Sequence, residues 1–249
     1  MNYREKQKKD PAEKKIRKLS AFRKRYPDTA AEGLVPELFW EEQCDSCLEE
    51  LSEKGQLMPA PGQELFMTGW VGAAGTLLLA DWKKEQLCTR FPAAFVHTAW
   101  DREVFDNYRG NDSGNPYFQP AAFLAQGASW IAPVGEGGLM KTLYRLGKET
   151  GLGFRINSRR VPIRQITIEF TEFFRVHPWE LFTGRSFLFA AEHDAPILRS
   201  LEQQGILCSK VGVLTKEKQK LICHGQEESN INRPEPDGLL TLLMEEIQP

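Results

Sequence analysis

Residues 131–151 read IAPVGEGGLMKTLYRLGKETG, and the pattern changes midway. The apolar pentad Trp130–Val134 has the composition of a buried strand, and an amphipathic helix is expected from Gly138 to Thr150. Between them lies Gly135-Glu136-Gly137-Gly138. Glycines there permit positive φ and let backbone N–H groups come close to a ligand, while the helix directs the positive end of its dipole outward. A carboxylate at Glu136 repels phosphate unless a metal bridges them, or it serves as a helix cap. The residues alone leave two readings open, a working anion site or the tight turn that any strand-to-helix corner requires.

Outward from this corner, helices and strands intermix without strict alternation. Strands are expected at ELFMTGW (64–70), SFLFAAE (186–192), ILCSKVGVLT (206–215) and KLICHG (220–225), with KEKQ (216–219) as a charged hairpin between the last two. Helices are expected from Gly-punctuated VGAAGTLLLADWKK (71–84), over Pro92–Phe105, in a short run to Gln126, over Ile163–Arg175, and in APILRSLEQQG, which Gly205 ends. Residues 107–120, NYRGNDSGNPYFQP, read as a loop. The fold class is α+β, one mixed β-sheet with helices packed on it. It is preceded by a helical extension, residues 11–26 and Val35–Lys54, followed by the Pro-broken LMPAPGQ; if these helices cover the domain, Ile16, Leu19, Phe22, Leu38 and Phe39 are expected to turn inward. The expected division is 1–58 for the basic extension and 61–249 for the α+β domain.

No stretch approaches the roughly 20 apolar residues of a membrane span, so no membrane association is expected. The first fifteen residues lack the apolar core of a secretory signal. Five cysteines, an odd number in a chain of 249 residues, indicate reduced thiols and a cytoplasmic setting. Charge is uneven: residues 1–26 hold eleven Lys and Arg against three acids, although the chain's net charge is -2. Such an arm can pair with an acidic partner, fold back on its own acidic body, or bind nucleic acid. The last is the weakest reading, for want of interleaved aromatics or a recognition-helix pattern.

Other chemistry is sparse. Cys44-Asp45-Ser46-Cys47 lies within an expected helix without a second pair at metal-ligand spacing, so it reads as two helical thiols and no metal site is assigned. The four histidines, His97, His177, His193 and His224, are scattered, and no catalytic residue is assigned. Arg159, Arg160 and Arg164 form a short basic run that could clamp an anion or lie on a solvated edge.

The segments PGQELFMTGWVGAAGTLLLA, LCTRFPAAFV, VGEGGLMKTLYRLGKETGLGFRI, VPIRQITIEFTEFFRVHPWELFTGRSFLFA, LEQQGILCSKVGVLT and RPEPDGLL, in this order and spacing, resemble the C-terminal half of the aminoimidazole ribonucleotide (AIR) synthase superfamily. The likeness is strongest to its hydrogenase-maturation-factor branch, related to the carbamoyl dehydratase of NiFe-hydrogenase assembly. It covers about residues 61–240.

The resemblance implies a domain with helices on one side of a mixed sheet. It also implies a cleft, shared with a separate N-terminal domain, that takes ATP or a nucleotide-like substrate. It places Gly135, Glu136, Gly137 and Gly138 at that cleft with Thr183 and Gly184, and so favours the site reading; ATP and Mg²⁺ enter by resemblance alone. Three departures oppose catalysis. The family pattern Asp-Val-(Thr/Ser)-Glu-Gly-Gly is here Pro133-Val134-Gly135-Glu136-Gly137-Gly138. The N-terminal domain has no counterpart. The ending LLMEEIQP lacks the cysteine of the carbamoyl dehydratases, which argues against carbamoyl dehydration. The expected function is therefore a degenerate, non-catalytic relative that binds a partner protein or a small anionic ligand at the cleft. The alternative is an ATP-dependent maturation enzyme completed by a partner subunit or a homodimer.

Overall fold

The computed structural model describes residues 16–100, 117 and 119–247. Most of the expected loop at 107–120 lies outside these residues, as do 11–15 of the first expected helix and the end of the Pro92–Phe105 helix. The N-terminal part contains α1 (Leu19–Arg25), a 3₁₀ turn (Ala30–Leu34) and α2 (Val35–Glu53). After β1 (Glu64–Thr68) come α3 (Ala73–Trp82), α4 (Lys84–Arg90), α5 (Ala93–His97) and α6 (Pro120–Ala125). Next are β2 (Ala128–Pro133), α7 (Gly138–Thr150), β3 (Gly153–Asn157) and α8 (Gln165–Phe173). The chain continues through β4 (Phe187–Ala191), α9 (Pro196–Gln203), β5 (Cys208–Thr215), β6 (Lys220–His224), β7 (Glu227–Asn230) and α10 (Gly238–Ile247).

The described strands form a seven-stranded sheet in the order β2-β4-β1-β5-β3-β6-β7. Neighbours are antiparallel except β3 and β6, which are parallel. The sheet is mixed and the fold is α+β. The expected hairpin between β5 and β6 does not form, because β3 lies between those strands. The 216–219 connection instead crosses the head of β3, where Phe154 N–H donates to Gln219 O at 2.9 Å.

Gly153 makes this crossing possible: a Cβ there would stand 1.8 Å from Glu217 O and 2.4 Å from Gln219 O. Gly153→Ala is therefore expected to cost about 2 kcal/mol, as overpacking against fixed backbone does. The thermal midpoint should fall by about 6 °C. An unchanged midpoint would mean that the loop does not rest on β3.

Helices cover both faces of the sheet, not one. Strand alternation sends Leu188 and Ala190 to the face where Leu139, Leu143 and Leu146 of α7 pack. Phe187, Phe189 and Ala191 go to the other, against Trp40, Cys44 and Leu48 of α2, Phe123 of α6 and Ile197 and Leu201 of α9. β4 is buried on both faces, so it reads as a continuous apolar run. A third cluster is made by helices: Leu19 and Phe22 of α1, Leu34, Leu38, Leu79 of α3, Phe170 of α8, and Leu239 and Leu243 of α10.

The N-terminal helices thus enter two cores at once. Phe39, at a position expected to turn inward, is 59% exposed. It lies about 100° around the helix from Leu38 and Trp40, on the more exposed side of α2. Among the described residues, no helix is long and apolar enough to cross a membrane.

Candidate functional site

β2 runs into the Gly135–Gly138 turn and α7 leaves it. Gly137 and Gly138 have φ of 77° and 58°. At Gly138 a Cβ would also stand 2.4 Å from Trp179 O and 2.7 Å from Leu181 O, so both backbone conformation and space require glycine there. The turn closes on itself through Gly138 N–H to Gly135 O at 3.0 Å. This leaves the amides of Glu136 and Gly137 as free donors at the positive end of a 13-residue helix.

Both donors are taken by carboxylates of the same chain. Glu136 N–H donates to Glu41 Oε2 at 2.9 Å, and Gly137 N–H to Asp237 Oδ2 at 2.6 Å. Asp237 is buried, and its other oxygen accepts Leu239 N–H at 2.9 Å, which caps α10. Burial pushes both carboxyls up to about 7, against the pull of the amides they accept from. Burial likewise raises Glu136, whose carboxylate is held back by Lys141 at 3.7 Å, by Leu19 N–H and by Lys18. Glu136 thus lies between the start of α1 and the cavities beside the turn.

Glu41 comes from a stripe on α2 whose members stand one helical turn apart. Glu37 accepts from Arg185 Nε at 3.1 and 3.2 Å, and Asp45 pairs with Arg145 of α7. Arg185, next to Gly184, has φ 37°. The spacing Glu37, Glu41, Asp45 is visible in the sequence as an acidic helical stripe. Asp237, after Pro236 and before an apolar run, carries a helix-start signal. Neither was singled out from sequence.

Thr183 joins the turn through its backbone, donating N–H to Gly135 O at 3.3 Å. Its hydroxyl accepts Gly72 N–H at 2.9 Å and lies within hydrogen-bonding distance of Leu181 O at 3.4 Å, so it braces the corner. Gly184 follows at φ 68°.

Two cavities flank the turn. One, of about 190 Å³, lies between α1, α2 and α7 and is lined by Lys18, Glu41, Asp45, Glu136 and Arg145 among others. The larger, of about 470 Å³, is lined by Arg17, Lys141, Tyr144 and Arg233 beside Glu136, Gly137, Glu235 and Asp237.

The remaining candidates lie elsewhere. Arg164 donates to Thr98 O and Ala99 O. His224 Nδ1 sits 2.9 Å from Ser158 Oγ, and His177 Nδ1 accepts Trp179 N–H. Burial raises the Cys44 thiol, the opposite of what a reactive thiolate needs. Among the described residues, no group of three or more His, Cys, Asp or Glu is arranged to hold a metal ion.

Residues 116–224 match the model of the AIR synthase related protein, C-terminal domain. A search of curated proteins finds no match. Among solved structures, the chain is similar to the hydrogenase maturation protein HypE. A HypE–HypF complex gives a TM-score of 0.51 at 15% identity, covering 72% of this chain and 55% of that one. HypE of E. coli gives 0.51 at 14%, covering 73% and 53%. HypE in complex with ATP gives 0.51 at 12%, covering 73% and 53%. The chain spans little more than half the length of each, and the likeness is one of fold.

Proposed function

We propose, for a chain that carries an AIR synthase-related C-terminal domain over residues 116–224, a non-catalytic role: binding a small anion beside the Gly135–Gly138 turn. What carries this reading is the pair of carboxylates, Glu41 and Asp237, on the two amides that a phosphate would need. ATP does not fit the turn in this state, because its phosphates would meet bound carboxylates where they require N–H donors. The family's aspartate and hydroxyl positions hold Pro133 and Gly135, which supply neither a metal ligand nor a proton donor.

The anion goes instead to the larger cavity, whose lining brings Arg17, Lys141 and Arg233 from three segments beside Tyr144 and the acids Glu136, Glu235 and Asp237. Its volume of about 470 Å³ is of the size that small ligands occupy. A partner protein that presents a carboxylate or phosphate could use the same cations.

Two measurements on the purified chain test this. ATP turnover with Mg²⁺ should be absent; turnover on the order of 1 per second would overturn the non-catalytic reading in favour of the ATP-dependent enzyme. In calorimetric titration, inorganic phosphate should bind, and Arg233→Ala should weaken it about tenfold, the loss of roughly one charge-assisted contact. Equal affinity in both proteins, or no binding in either, would remove the cavity from consideration.

A further inference from the structure

A side chain at position 135 would collide with the extension. A Cβ there would stand 2.1 Å from Glu41 Oε2, 2.2 Å from its Cδ and 2.7 Å from Oε1. The carboxylate therefore lies in the volume that a serine or threonine would fill. Gly135 is not among the glycines with positive φ, so its missing side chain answers to Glu41 and not to the backbone.

The hydroxyl that the resemblance expects at 135 and the free amide at Glu136 are thus displaced together by one group. That group is delivered by an anchored element, since α2 is also held through Glu37 to Arg185 and through Asp45 to Arg145. We infer that α2 is a built-in plug of the turn, with the Glu41 carboxyl as its tip and Gly135 as its fitted seat, so that an outside anion reaches the Glu136 amide only when α2 lifts away. This rests on the same view of the turn as occupied from within, but it does not depend on the cavity of Arg17 and Arg233.

The pairing predicts a non-additive mutant cycle. Alanine at 135 pushes the flexible carboxylate off its seat, and Glu41→Ala removes it. At pH 5, where Glu41 is protonated, each single substitution should lower the thermal midpoint by about 3 °C, the loss of one neutral hydrogen bond. Gly135→Ala/Glu41→Ala should fall no further than either single variant. A loss equal to the sum of the two would overturn the inference.

Native-state hydrogen exchange on the unaltered chain supplies a reading that needs no variant. The Glu136 amide should exchange at the rate of the α2 amides around Cys44, within about threefold, because both open in one event. Exchange about a hundredfold faster than α2 would also overturn it. Failure of phosphate to bind at the cavity leaves both readouts unchanged, so the two readings fail separately.

Discussion

Deleting residues 1–58 is expected to cost the chain its native state or its solubility. Leu19, Phe22, Leu34 and Leu38 are at most 8% exposed in the helical cluster, and Trp40 and Leu48 are at most 7% exposed against the sheet. Each such side chain contributes about 1.5–3 kcal/mol by burial. Six of them together match the roughly 5–15 kcal/mol by which a whole domain is stable. The deletion also frees the Glu136 amide and leaves Arg185 and Arg145 without Glu37 and Asp45. Its exposed faces would then bind a hydrophobic dye or bury themselves in a second copy. Size-exclusion chromatography with light scattering, beside dye binding, checks this. A truncated chain of unchanged mass state and thermal midpoint, binding no more dye, would show that the extension is a free arm and revive the acidic-partner and nucleic-acid readings.

The second large effect is on pH dependence. Glu41 and Asp237 rise to about 7 in the folded chain, mainly through burial, whereas their unfolded values lie near 4. Between those limits the folded state holds more protons than the unfolded one, so stability falls as pH rises. The contribution of each is fully present below about pH 4 and lost by the time pH passes 7, on the order of 3 kcal/mol apiece. Charges facing them do not reverse the sign: burial outweighs the pull of the amides and of Lys141 on both, while Glu136 opposes ionisation of both and Asp45 that of Glu41. Glu41→Gln keeps an acceptor for the Glu136 amide and removes the ionisation. The midpoint of the unaltered chain should drop by about 8 °C more than that of the variant between pH 5 and pH 8. Parallel curves would show that Glu41 is ionised throughout.

What could be read from the sequence was local. The β2–turn–α7 corner came out with its helix bounds intact, because an apolar pentad, three glycines and an amphipathic run are all signals within twenty residues. The apolar runs of β1 and β4 and the Gly205 stop were equally plain. Strand order was not, since nothing near Lys216–Gln219 reveals that β3 enters between β5 and β6. Residue-type reasoning also assigned Phe39 to the interior when its neighbours Leu38 and Trp40 fill that role. The turn was recognised, but not its occupants: Glu41 and Asp237 lie 95 and 100 residues from the amides they accept from. Only the folded chain reveals that an acidic stripe and a helix cap meet there. The resemblance, which implies ATP at the cleft, likewise carries no sign of the carboxylate from α2.

Three helix beginnings meet at this turn: α1 through Glu136, α7 through its own amides, and α10 through Asp237. The bonds that join them close loops of about a hundred residues, and such loops bear a larger entropic cost than the hairpin pairings of the sheet. The sheet's β6–β7 hairpin and the helices themselves close over short separations and can form early. The cluster of carboxyls and amides requires both flanks of the chain to have arrived, so it is expected to form in the late, slow part of folding. Bonds formed after the folding barrier act mainly on the rate of unfolding. The turn is thus expected to act as a kinetic latch, slowing unfolding more than it speeds folding.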